Sequence, residues 1–247
     1  MKQDKLFLII LIFITLKICC QNSNLKLDKD YFVLGTLSDE MGRIKSFHDN
    51  ETIEESQYGK VILKYNFNLL KNEYYDLVID STTHNNQYIN DANIVLKSKK
   101  LASKINSLYT YRDDLGIKLN ETGEIIDSIY TGLLKTDIFK NKLQRLSFIT
   151  GVYCINGISN ESKYCIRFVN SETKYSVCVD VLKKLGCKKV EVLVTEGLPF
   201  TETIYFEPTD LLKIYFNEYE FVRKKVKEEQ EDTIKKINTY YKRMELK

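Results

Sequence analysis

A chain of 247 residues is long enough for one ordinary domain with a buried core that needs no dense disulfide network. Its 43% hydrophobic and 29% charged residues are ordinary for a globular protein. The net charge is only +3, with Lys and Arg interspersed among Glu and Asp along most of the chain. Because recognition of phosphates needs a concentrated basic surface, we expect no nucleic-acid partner.

The N-terminal segment has the pattern of an export signal. Lys2 and Lys5 precede an uninterrupted apolar run at 6–16, which matches the apolar region of a secretory signal and is too short to span a bilayer comfortably. Cys19 and Cys20 follow, and the chain then turns polar. This arrangement resembles the signal of bacterial lipoproteins, in which a cysteine after the apolar run is acylated and becomes the mature N-terminus.

The resemblance implies lipid attachment at Cys20, because Cys19 would supply the smaller residue just before the signal-peptide cleavage site. Cys19 is the second choice. The membrane would be a partner through this anchor. A cleaved signal with accidental cysteines, which would leave a secreted protein, and an uncleaved N-terminal anchor remain alternatives. All three interpretations place the mature protein outside the cytoplasm, in the favoured case anchored in the bacterial envelope, in the periplasm or at the cell surface.

Changes in composition along the chain suggest four segments. We expect a signal and anchor region at 1–20, a polar tether at 21–30, a single globular domain at 31–207 and a C-terminal helix at 208–247. No internal repeat is visible, and no linker rich in Pro, Gly or Ser divides the chain.

Alternation of apolar and polar side chains, typical of strands, dominates the body. It marks residues 60–67, 74–80, 163–169, 174–181 and 189–195. The last three are joined by short connections, which favour antiparallel pairing because parallel strands need long crossovers. An alternative interpretation makes 180–185 a helical turn ended by Gly186. Helical spacing marks segments such as 98–108, so we predict an α+β fold, mostly antiparallel sheet with a few short helices.

The periodicity changes after Pro208 and predicts a long C-terminal amphipathic helix, capped by Thr209 or Asp210. Its first half carries apolar residues at spacings of four and three, which we expect to dock on the sheet: Tyr215, Tyr219, Val222 and Val226. The second half is more charged, and we expect its sparser stripe to bind a protein partner through Ile234, Ile237, Tyr241 and Met244. The alternative is that this half folds back or frays.

Four cysteines lie in the body, and outside the cytoplasm an even number favours disulfides over buried free thiols. If residues 170–173 form a hairpin loop, the apolar residues of the flanking strands meet on one face. Cys165 then lies opposite Cys178 on the other face, within the roughly 7 Å between Cα atoms that a disulfide requires. Cys154 and Cys187 would form a second pair, with weaker support.

The search for chemistry finds no catalytic or metal-binding constellation. Both histidines, His48 and His84, lie in polar stretches that suggest loops, and no nucleotide-binding, hydrolase or metalloprotease motif is present. The adjacent pair Glu54 and Glu55 would point to opposite faces of a strand. We therefore predict no cofactor, no metal and no identifiable catalytic residue. The favoured function is an exported, lipid-anchored binding or scaffolding module; the alternative is an exported, hydrolase-like enzyme whose carboxylates only the fold assembles.

Overall fold

The protein has an α+β fold, in which every paired strand described is antiparallel. The structure is a computed structural model. It describes residues 25–38, 42–56, 59–82, 93–112, 116–119, 122–160, 163–171 and 173–245.

Seven helices and eleven strands lie in the described residues. The helices are α1 (Lys29–Thr36), α2 (Lys60–Leu70), α3 (Lys99–Asn106), α4 (Lys142–Asn156), α5 (Lys174–Lys184), α6 (Asp210–Glu218) and α7 (Glu220–Glu245). The strands are β1 (Arg43–Ser46), β2 (Thr52–Ser56), β3 (Val78–Thr82), β4 (Asn93–Lys97), β5 (Tyr109–Tyr111), β6 (Gly116–Leu119), β7 (Ile125–Leu134), β8 (Gly157–Asn160), β9 (Lys163–Val169), β10 (Lys188–Thr195) and β11 (Thr201–Glu207).

The order of these elements contains a duplication. A helix, two strands, a helix, two strands and a helix occur from α1 to α3 and again from α4 to α6, with β5, β6 and β7 between the two halves. The second half forms a sheet in the order β10-β11-β9-β8, and the matching strands of the first half pair in the order β3-β4-β2. The halves differ at β1, which pairs with β7 instead of joining this sheet.

The two helices that open the halves, α1 and α4, pack against each other at the centre of the core. A Cβ atom on Gly35 would lie 2.2 Å from the carbonyl oxygen of Phe148, and one on Gly151 would lie 2.1 Å from that of Phe32. The backbones therefore meet directly, an approach that only glycine permits. Residues 31–36 and 146–154 are buried along both helices.

Side chains at the N-termini fix where these two helices begin. Asp28 caps α1 by accepting a hydrogen bond from the backbone N–H of Tyr31, and Asn141 caps α4 by accepting one from Gln144. The Ser147 hydroxyl of α4 accepts the backbone N–H of Asp28 at 2.9 Å. The cap of one helix is thus bonded to the other helix.

Two segments predicted as strands are helical. Residues 60–67 lie in α2, and residues 174–181 lie in α5, which Gly186 follows with φ of 83°. In α5, Val177 and Val181 are buried at a spacing of four, so side chains that alternate in sequence also line one helix face. The helical alternative at 180–185 was the better interpretation there, whereas the strand predictions at 163–169 and 189–195 are confirmed.

The predicted long C-terminal helix is present, and the structure breaks the segment at Tyr219 into α6 and α7. Tyr215, Val222 and Val226 are buried as expected. The ring of Phe216 stacks on Tyr153 of α4 with centroids 3.9 Å apart and also contacts Tyr164 of β9 and Phe206 of β11. The first half of the segment therefore docks on α4 as well as on the predicted sheet. No helix in the described part of the chain combines the length and the apolar character needed to cross a membrane.

We expect Gly35→Ala and Gly151→Ala each to lower the free energy of unfolding by at least about 2–3 kcal/mol, because the added methyl group meets backbone that cannot rotate away. Gly123→Ala is the matched control. Its Cβ atom meets open space, so the cost is limited to about 1 kcal/mol for a left-handed backbone. Urea titration followed by circular dichroism measures all three. Equal losses at Gly123 and Gly151 would contradict the helix contact.

Candidate functional site

The central helices α1 and α4 end at one cavity of about 400 Å³. Leu37 and Ser38, which follow α1, and Ile155 and Asn156, at the end of α4, line it. The end of β2 and the end of β9 also border this space. The cavity therefore lies where the two halves of the fold meet.

A buried lysine closes one side of this cavity. Lys174, the first residue of α5, is only 2% exposed, and its Nζ donates a hydrogen bond to the carbonyl oxygen of Leu37. Leu37 is the C-cap of α1, where unpaired carbonyl groups and the helix dipole favour a positive charge. The contact stabilises the lysine away from water and joins the second half to the end of the first central helix.

Beside Lys174, three buried residues hold polar side-chain atoms that have no hydrogen-bond partner among the described residues. They are the hydroxyl oxygens of Ser171 and Thr201 and both carboxyl oxygens of Glu202. Burial raises the pKa of the Glu202 carboxyl, and the nearby backbone N–H groups of Glu202 and Ser171 lower it by less. Ser171 also lines the cavity, so this polar group lies next to it.

The second-half sheet has one apolar face and one face on which polar and apolar side chains are mixed. Its inner face carries Ile166, Phe168, Ile204 and Phe206, all of which are buried in the core. Its outer face mixes hydrogen-bonding and apolar side chains. Arg167 and Thr195 are exposed there, Tyr205 is half-buried, Thr201 and Thr203 are buried, and Cys165, Val169 and Leu193 lie among them. Thr203 lies directly opposite Arg167 on β9, and Thr201 lies opposite Thr195 on β10.

The matching sheet of the first half also has a polar outer face. Asn93 donates to the carboxylate of Glu55 at 3.0 Å, and Lys97 pairs with Asp80 at 3.3 Å. These contacts join β2, β4 and β3 on the face turned away from buried Leu96. Both halves thus present a hydrogen-bonding sheet surface.

Helix α7 connects the halves across the cavity. Arg223 donates to the carbonyl oxygen of Gly157 in the second half at 3.2 Å, while Val226 and Gln230 line the cavity. Further along, the Glu229 carboxylate accepts the backbone N–H groups of Lys60 and Val61, at 3.0 and 3.1 Å, at the start of α2. A carboxylate at a helix N-terminus is a favourable arrangement, so Glu229 attaches α7 to the first half.

The predicted disulfides are absent: Cys154, Cys165, Cys178 and Cys187 are all free thiols. The prediction for Cys165 and Cys178 was wrong because residues 174–184 form α5 instead of the second strand of a hairpin, and β9 pairs with β8 and β11. The weaker pair of Cys154 and Cys187 was wrong as well. Burial raises the pKa of the Cys154 thiol well above its ordinary value.

The predicted lipid-attachment and partner-binding residues remain predictions. Cys19 and Cys20 lie outside the described residues, as does His84. Ile234 and Tyr241 are exposed on α7 at 57% and 53%, and Ile237 is half-buried between them. The side chain of Met244 lies outside the described part, and nothing described tests a partner at this stripe.

The helix contact is the feature that the sequence search missed. Phe32-Val-Leu-Gly35 and Phe148-Ile-Thr-Gly151 share the pattern of a phenylalanine followed three positions later by glycine. Each stands in a buried helix at the start of one half. A search for repeated pairs of this kind would have found the duplication. Among the described residues, no group of three or more His, Cys, Asp or Glu side chains could hold a metal ion.

Comparison with known proteins yields matches only among solved structures. No family model matches the chain, and no curated protein matches it. A structure of the homing endonuclease I-DmoI with DNA and manganese is 13% identical, with a TM-score of 0.45, over 79% of this chain and 96% of that chain. Mesophilic variants of I-DmoI are 12% identical, with a TM-score of 0.45, over 76% and 86%. I-DmoI with DNA and calcium is also 12% identical, with a TM-score of 0.44, over 75% and 86%.

These comparisons correct the functional expectations. The prediction of an exported, lipid-anchored binding or scaffolding module runs against them, since the solved structures that this chain resembles are homing endonucleases. The alternative of an exported enzyme gains no support from them. The expectation of no nucleic-acid partner also runs against them, because two of these endonuclease structures are complexes with DNA. No finding supports a signal peptide or lipoprotein. Acylation at Cys20 and the place of the protein in the cell stay untested predictions.

We expect the cysteines to differ in reactivity. Cys187 is half-buried, whereas Cys154 and Cys178 are at most 1% exposed, and only an accessible thiolate reacts readily. Alkylation at pH 8 followed by mass spectrometry should label Cys187 first in the folded protein and label Cys154 and Cys178 only after urea is added. Early labelling of Cys178 would contradict the packing of α5 on the core.

We expect Glu202→Gln to stabilise the protein at neutral pH. Folding raises the pKa of Glu202 above its ordinary value of 4.5. Between these two pKa values the folded state binds more protons than the unfolded state. The free energy of unfolding therefore falls as the pH rises from about 4.5 toward the raised pKa. Glutamine removes this cost. The melting temperature of the variant should exceed that of the parent at pH 7 and match it near pH 4. Glu207→Gln, at an exposed position of the same strand, is the control. A gain at Glu202 that does not depend on pH would refute the explanation.

Proposed function

We propose that this protein binds double-stranded DNA, with the polar outer faces of its two sheets against the duplex. The observation that carries the proposal is the pairing of two halves of the same element order, each with one sheet face in the core and hydrogen-bonding side chains on the other, such as Arg167 and Lys97. Both sheets border the cavity at the end of the central helices. The molecule thus offers two similar surfaces joined by a rigid helix contact.

The outer faces suit a nucleic acid chemically. Antiparallel strands fit the major groove of B-form DNA, where side chains contact base edges and phosphates. Arg167 is exposed on β9, opposite buried Thr203 of β11, and exposed Thr195 lies on the same face two residues along β10 from Leu193, the partner of Thr203. Arginine binds guanine or phosphate through two parallel hydrogen bonds, while threonine contacts bases and phosphates of either strand.

The modest net charge of +3 is compatible with this proposal. Binding depends on the number of lysines and arginines that reach phosphates, and a few suffice when other contacts come from neutral side chains. We therefore expect a shallower dependence on salt than for strongly basic DNA-binding proteins. Because the TM-scores to the endonucleases lie below 0.5, the likeness adds no weight to the proposal, which rests on the sheet faces.

Fluorescence anisotropy with labelled duplex DNA tests the proposal on the full-length chain. Arg167→Gln should weaken binding about tenfold or more, as loss of a bidentate contact costs about 1–3 kcal/mol. Lys184→Gln removes an equal charge from α5, which packs on the inner side of the sheet, and should leave affinity unchanged. Absence of binding by the parent at 50 mM salt, or equal losses in the two variants, would refute it.

A further inference from the structure

The last part of α7 carries a concentration of positive charge that the proposed function does not yet use. Between Thr233 and Lys247, five lysines and arginines stand against one acidic residue, Glu245. This differs from the preceding segment at 228–232, which is mainly acidic. The charge is therefore local, although the chain as a whole is nearly balanced.

The basic side chains share one face of the helix. Lys235 and Lys242 are seven residues apart, which is two turns at 3.6 residues per turn, so they lie on the same side of the helix. Lys236 follows Lys235 and extends this face around the helix. All three are exposed, and we refer to them together as the basic end. Ile234 and Ile237 fall on the opposite side. The helix is thus amphipathic with a positive face.

Contacts earlier in α7 direct this basic end past the cavity. Val226 and Gln230 line the cavity at the ends of the central helices, and Glu229 is bonded to the start of α2. Burial raises the pKa of the Cys165 thiol, and the nearby charges of Arg167 and Lys227 lower it by less. Cys165 is on the outer face of β9 with Arg167. The first half of α7 therefore lies beside this face, at Lys227, and beside β8, where Arg223 donates to the carbonyl oxygen of Gly157.

No described side chain of α7 beyond Val226 is buried. The stretch from residue 232 to residue 245 continues for about 20 Å at 1.5 Å per residue. That length matches about six base pairs of duplex, given 3.4 Å per step on each strand. A helix of this reach could follow phosphates next to the bases that the sheets contact.

We propose that the basic end of α7 binds backbone phosphates of the DNA, as a contact separate from the two sheet faces. The inference rests on the proposed DNA binding and names a further element of the same interface. Lys236 pairs with Asp232 at 3.0 Å, but both side chains are at least half exposed, so this pair is worth little and does not compete strongly with a phosphate.

The measurable consequence is a change in salt dependence. Each neutralised phosphate contributes about 0.9 to the slope of log affinity against log salt concentration. Replacing Lys235, Lys236 and Lys242 together by glutamine should therefore reduce the slope by about 2–3. Phosphate contacts carry no sequence information, so affinity should fall to a similar extent for unrelated duplexes.

The experiment compares two triple variants of the full-length chain across a series of salt concentrations. The control replaces Lys183 and Lys184 of α5 and Lys213 of α6 by glutamine, which removes the same charge from exposed sites on other helices. All six lysines are exposed, so both variants should keep the parent's melting temperature and circular dichroism spectrum. The inference holds if only the α7 variant loses slope.

Three outcomes overturn it. Equal slopes for the parent and the α7 variant refute the phosphate contact while leaving DNA binding in place. No binding by the parent refutes both proposals. A basic amphipathic helix also suits an anionic membrane surface. Binding to vesicles that contain phosphatidylserine is therefore measured in parallel for the parent and both variants. Loss of vesicle binding by the α7 variant, with an unchanged DNA slope, assigns the helix to a membrane and overturns the inference.

Discussion

The direct backbone contact between α1 and α4 is the constraint on which the rest of the structure depends. Gly35 and Gly151 let two buried helices approach very closely. The carbonyl oxygen of Phe148 lies where a side chain on Gly35 would be, and that of Phe32 lies where a side chain on Gly151 would be. This closeness brings the C-terminal ends of both helices to one cavity and sets the two halves of the fold against each other. The sheets, which follow each helix in the chain, are positioned by the same contact.

The second half is attached to the first by polar contacts around that helix pair. Lys174 bonds to the carbonyl group at the end of α1, and Glu229 of α7 bonds to the start of α2. In both cases a charged side chain satisfies backbone groups that a helix end leaves unpaired. The cavity is therefore enclosed by groups that also hold the halves together, so its shape depends on the fold as a whole.

Local chemistry made part of the fold predictable. The spacing of α3, the spacing and cap of α6 and the alternation in β9 and β10 were recognised because each depends on neighbours in sequence. The segment at 174–181 was not, because its alternating valines fit a strand and a helix equally well until the core is known. The disulfide between Cys165 and Cys178 depended on that strand and was wrong with it.

The sequence by itself determined the α+β class, the C-terminal amphipathic helix and the buried face of its first half, since periodicity and helix caps are local properties. Only the tertiary structure decided the duplication, the meeting of Gly35 with Gly151 and the polar outer faces of the sheets. The two glycines stand more than 100 positions apart in the chain, and which face of a strand is buried depends on what packs against it. The candidate interface belongs to this second group, because Arg167 is recognisable as part of a surface only after β9, β10 and β11 are paired.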